Sequence, residues 1–124
     1  MTRAIVALIT VLAITTAAPA RSVLSHMVPT AFQGNWALVS RDCAPGPADS
    51  GNMRIAGSHI ANFESRAKVS RVEMVDPHTI RLHSRVTHNG GTFGSIEMLS
   101  LSRDGKSLTI GEMSDRSIYK RCPA

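Results

Sequence analysis

"TIRLHSRVTHNGGTFGSIEMLSLS", Thr79 to Ser102, consists of two runs around Asn89-Gly90-Gly91. Asn-Gly supplies the two positive φ angles that a tight type I′ hairpin turn requires, so the runs read as paired antiparallel strands. In the first run Ile80, Leu82 and Val86 alternate with Arg81, His83 and Arg85. One face therefore packs inward, and the other carries a basic stripe. In the second run Phe93, Leu99 and Leu101 share parity with Glu97, which implies a bulge, a strand end or a polar group facing a cavity.

Outward from this hairpin the chain continues as short strand-like runs separated by turn residues. "NWALVSR", "MRIA", "HIANFES" and "KVSRVEMV" precede it, and "SLTIGEM" and "SIYKRC" follow it. Asp76-Pro77 and the "RDGK" turn punctuate them, while "APGPADSGN" from Ala44 to Asn52 is a loop. Between Cys43 and Cys122 no stretch of ten or more residues carries a helical stripe. The expectation is an all-β domain over residues 32–124, a small meandering antiparallel barrel or curled sheet of about seven or eight strands. A sandwich with crossed connections is the competing arrangement.

The N-terminus, "MTRAIVALITVLAITTAAPA", has a positive start at Arg3, an apolar stretch and small residues at Ala18 and Ala20. This is the pattern of a secretory signal peptide over residues 1–20, with a flexible leader at 21–31. An uncleaved anchor is the alternative, but the apolar run is shorter than the roughly 18 to 20 residues of a membrane span. No cysteine precedes Cys43 to carry a lipid anchor, so the expected location is periplasmic or secreted, with no membrane span after cleavage. The formal charge is +5, and loss of Arg3 leaves +4. A basic surface favours anionic partners such as lipopolysaccharide or acidic polysaccharide, and it also serves solubility alone. Nucleic acid is set aside: export argues against it, and five aromatics offer little for base stacking.

Cys43 and Cys122 are the only cysteines, and in an oxidising compartment such a pair implies one disulfide. No C-x-x-C or second cluster favours redox or metal chemistry. His78, His83 and His88 are evenly spaced, but residues five apart on a strand point to opposite faces, which leaves only a cross-strand site with His59. No serine sits in a G-x-S-x-G elbow. Glu64, Glu73, Glu97 and Glu112 lie on separate strands and would meet only inside a barrel. Met53, Met74, Met98 and Met113 fall about one per strand, as core filling does. No catalytic residue, metal ligand or cofactor is assigned.

"FQGNWALVSRDC", Phe32 to Cys43, holds the only tryptophan in a Gly-x-Trp on the first strand. With the run of hairpins behind it, this resembles the lipocalin/calycin superfamily, Gly34 and Trp36 occupying the motif positions. The resemblance implies an eight-stranded barrel closed at one end by Trp36, with Arg121 packed across its ring. Antiparallel pairing of first and last strands would, however, put Cys122 roughly 20 Å from Cys43 at about 3.3 Å per residue. A fold-back, an odd strand count or a parallel last strand would be needed for both contacts, and the disulfide takes precedence over the stack. A second resemblance is to secreted bacterial barrel-type protease inhibitors, whose N-terminal segment enters the protease cleft; "RSVLSHMVPTA" would be that leader.

The functional expectation is an exported, non-catalytic binding protein. It would take a small apolar or amphipathic ligand in a narrow barrel mouth, or an envelope partner at its rim. Inhibition of a secreted or envelope hydrolase is the alternative. Arg81, His83 and Arg85 are the candidate patch for an anionic partner. An enclosed apolar pocket favours the first reading, and a long ordered leader or protruding loop favours the second.

Overall fold

The structure, a computed structural model, describes residues 25–44 and 51–123. The segment 1–20 expected to be a signal peptide, the first residues of the expected leader and most of the Pro/Gly loop lie outside them. The described chain forms eight strands: β1 (Gly34–Ala37), β2 (Asn52–Ala56), β3 (His59–Asn62), β4 (Ser65–Asp76), β5 (Thr79–His88), β6 (Gly91–Leu101), β7 (Ser107–Ile110) and β8 (Ser117–Arg121). They pair in sequence order, and β8 returns antiparallel to β1 to close a barrel. The crossed sandwich is thereby excluded. Closure leaves no strand without two neighbours, although several are neighboured over only part of their length.

Two features of the sequence produce this meander directly. Asn89 and Gly90 have φ of 49° and 76°, as a type I′ turn needs, and they join β5 to β6 in unbroken register from His88↔Gly91 to Thr79↔Ser100. Ile80 and Leu82 are buried in the core with Leu99, while Arg81 and Arg85 face solvent. β4 departs from simple alternation. Its pairing with β5 slips between Val69 and Arg71, so that Ser70 is a bulge whose hydroxyl donates to the His83 carbonyl at 3.0 Å. The slip changes parity and lets both Val69 and Val72 point into the core.

The core runs through the barrel interior from Trp36, Met53 and Ile55 to Leu82, Leu99 and Leu108. Each fully buried side chain of this kind contributes about 1.5 to 3 kcal/mol. Below the barrel, residues 25–33 lie against it. Ser25 bridges to Val72, the Val28 amide donates to the Gly57 carbonyl at 3.0 Å, and Val28 and Phe32 are buried. The part of the leader from Ser25 onward is thus a packed plug.

The disulfide and the arginine stack coexist. Trp36 pairs with Arg121 across β1 and β8, and Cys43 is bonded to Cys122 with α-carbons 5.4 Å apart. The preference for the disulfide over the stack is corrected, because both hold through a fold-back: after Leu38 the chain enters a 3-10 turn over Ser40–Cys43. That turn carries Cys43 back to Cys122, whose amide donates to the Asn35 carbonyl at 2.8 Å. Neither an odd strand count nor a parallel last strand is needed.

Candidate functional site

The two ends of the barrel differ in construction. At one end the Trp36 indole N–H donates to the Phe32 carbonyl at 3.0 Å, and the Arg121 guanidinium lies 4.2 Å from the ring centroid. Arg121 also donates to the carbonyls of Gly105 at 2.8 Å, Gln33 at 2.7 Å and Ala31 at 2.6 Å. Gly34 makes room for this: its φ is +132°, and a Cβ there would stand 2.8 Å from an Arg121 nitrogen. The Gly-x-Trp spacing thus has a physical cause. The glycine admits the guanidinium that the tryptophan two residues on receives on its face. Gly34, Trp36, Arg121, Cys43 and Cys122 all gather at this closed end.

The opposite end opens into a lumen of about 290 Å³. Its wall is mixed: Met53, Ile60, Leu82, Val86, Leu99 and Ile110 supply the apolar part, with Phe93 and Tyr119 nearer the opening. Asn62, Ser84, Ser95 and Ser117 add neutral polar groups. Glu97 faces this space, which settles its parity with Phe93 and Leu99: it is the polar group turned into a cavity. Burial raises the Glu97 carboxyl above its ordinary range. Burial likewise raises the Tyr119 phenol, and the Glu97 charge adds to that shift. The rim is uneven because β7 pairs only with Leu99–Leu101 of the longer β6, leaving the first half of β6 to stand above the 3-10 turn Met113–Asp115.

The basic stripe of β5 lies on the outer wall, away from the lumen, and the structure divides it. Glu73 on β4 bonds Arg81 at 3.2 Å, lies 3.4 Å from His83 and pairs with Arg71. The Arg81 hydrogen bond leads the effects that hold the Glu73 carboxyl below its usual range, against a smaller desolvation effect. Arg81 is therefore engaged locally, while the His83 Nε2 lies beside the Glu73 carboxylate without a hydrogen bond. Arg85 instead sits opposite Lys68 and shares a shallow outer groove with His59, Arg66 and Thr87.

The histidines do not converge. His78 is in the β4–β5 turn with its amide bonded to Asp76 at 2.7 Å, and His88 contacts the Glu64 carbonyl at 3.0 Å. Among the described residues no three His, Cys, Asp or Glu side chains gather as a metal site would need.

Sequence reasoning missed Tyr119 and Asp115 at the mouth, and Arg66 and Lys68 on the outer wall. The outer pair had a signal, since Arg66 and Lys68 alternate with Ala67 and Val69. Asp115 had none: it reaches the mouth through a turn after Gly111. No family model matches the chain, and no curated protein and no solved structure matches it.

Proposed function

We propose that this is an exported, non-catalytic binding protein of lipocalin-like build, which holds a small apolar or amphipathic molecule in the barrel lumen. The observation that carries the reading is the asymmetry of the barrel. One end is plugged by Val28, Phe32, Trp36 and Arg121, and the other opens into a space of about 290 Å³ whose wall combines an apolar stretch with polar groups. Concave apolar sites with a few placed polar groups are the common form of small-molecule sites. At roughly 30 Å³ per water-sized group, the space takes on the order of ten non-hydrogen atoms. Calorimetric titration with a medium-chain alcohol tests this. Ser84→Phe, which places a ring into the lumen, should abolish binding while the protein stays folded by circular dichroism. Undiminished binding in that variant contradicts the reading.

A second reading, contact with an anionic envelope polymer such as lipopolysaccharide or acidic polysaccharide, is favoured by the grouping of Arg66, Lys68 and Arg85 with His59 on the outer wall. Binding of such a polymer should weaken with salt. Replacing Arg66, Lys68 and Arg85 by Ser should weaken it further, more than Arg81→Ser does, because Glu73 already engages Arg81. The hydrolase-inhibitor alternative has less chain at its disposal, since the leader from Ser25 to Phe32 lies against the barrel.

A further inference from the structure

The chain has 14 Lys and Arg against 9 Asp and Glu, yet the charged side chains lining the lumen are both acidic. They are Glu97, on the β6 wall, and Asp115, in the turn that borders the opening. Among the described residues no Lys, Arg or His lines that space. The ion pairs among the described residues all converge on Glu73, on the outer wall, so neither lumenal carboxylate takes part in one. A cleft beside the mouth extends the same sign. It is bordered by Glu97, Glu112 and Asp115, and its one cation, Arg81, donates to Glu73.

From this we infer that the lumen selects a small organic cation: an amine on an apolar body of medium chain length, its ammonium at Glu97 and Asp115 and its hydrocarbon among Leu82, Val86, Leu99 and Ile110. The inference rests on the lumen being the ligand site and adds the sign of the headgroup.

Three consequences follow from the chemistry. A fatty acid of the same length would bring a carboxylate against two others, and like charges in a partly desolvated space repel. A neutral alcohol would fill the same volume without the ionic contact. An ammonium supplies three donors to carboxylates that otherwise lack a cation, in the form of charge-assisted hydrogen bonds. Phe93 and Tyr119 at the opening add ring faces, which attract cations. The raised Glu97 carboxyl agrees with a group that burial disfavours as an anion when no cation is beside it.

Octylamine, octanol and octanoate, which share a chain length and differ in headgroup, separate the charge assignment from the lumen itself. Titrated calorimetrically into the mature protein, octylamine should bind about tenfold or more tighter than octanol, as hydrogen bonds to charged groups imply, and octanoate should bind most weakly. Glu97→Gln should bring the octylamine-to-octanol affinity ratio close to one. Asp115→Asn, at an exposed turn, gives the same comparison in a second variant. Octanol binding as tightly as octylamine, or octanoate binding equally and losing that binding in Ser84→Phe, overturns the cation assignment and leaves the lumen reading standing. Failure of all three to bind overturns both.

Discussion

The Arg121 guanidinium lies 4.2 Å from the centroid of the Trp36 ring and, from that position, donates to three backbone carbonyls at 2.6 to 2.8 Å. Those carbonyls belong to the plug at Ala31 and Gln33 and to the β6–β7 turn at Gly105. One side chain therefore ties three parts of the closed end together. Arg121→Lys keeps the charge and loses the planar fork. It should lower stability by about 2 to 4 kcal/mol, the range of a cation–π contact plus charge-assisted hydrogen bonds. Chemical denaturation followed by Trp36 fluorescence measures it, and a change below about half a kcal/mol would show the contacts to be ordinary surface ones.

Gly34→Ala tests the same junction from the other strand. With φ at +132° and the added Cβ 2.8 Å from an Arg121 nitrogen, the substitution should cost about 1 to 3 kcal/mol through backbone strain and displacement of the guanidinium. The double variant Gly34→Ala with Arg121→Ala should lose less than the sum of the single losses, because the two residues share one space.

The Cys43–Cys122 bond closes a loop with a sequence separation of 79. In the chain-entropy account that contributes about 4 to 5 kcal/mol. Cys122→Ser should therefore remove a large part of the net stability of a domain this size, which is about 5 to 15 kcal/mol. Mass measurement after thiol labelling without reductant should find no free thiol in wild-type protein produced under oxidising conditions.

Glu97 gives the barrel a pH dependence of definite sign. Its folded-state carboxyl is raised, so the folded protein holds a proton that the unfolded chain has already released. Stability then falls as pH rises from the ordinary glutamate range through the raised value, and it is fully regained below the ordinary range. Glu97→Gln should flatten this slope. The variant should melt higher than wild type at neutral pH and alike at acid pH, as thermal scans across that interval would show.

The strand order was legible because alternation and turn chemistry agreed in the β5–β6 hairpin, where Ile80, Leu82 and Asn89-Gly90 each specify the same pairing. The coexistence of disulfide and stack was not legible. It depends on the turn Ser40–Cys43, four residues with no periodic signal, and a straight-strand estimate places Cys43 on the wrong side of the junction. The lumen was half visible. Glu97 announced itself by sharing parity with Phe93 and Leu99, while Asp115 arrives through loop geometry that no local pattern encodes. The basic stripe illustrates a third limit: Arg81, His83 and Arg85 share a face, but only the cross-strand register places Glu73 beside the first two and Lys68 beside the third.

The central claim, that the open lumen is where this protein meets its ligand, is tested most directly by methyl chemical-shift mapping during titration with octylamine. Saturable shifts are expected at Leu82, Val86, Leu99 and Ile110, with Val28 and Ile55 at the plugged end unmoved. Shifts confined to outer-wall positions such as Thr87 and Thr92, or no saturable shift at the lumenal methyls, would contradict it.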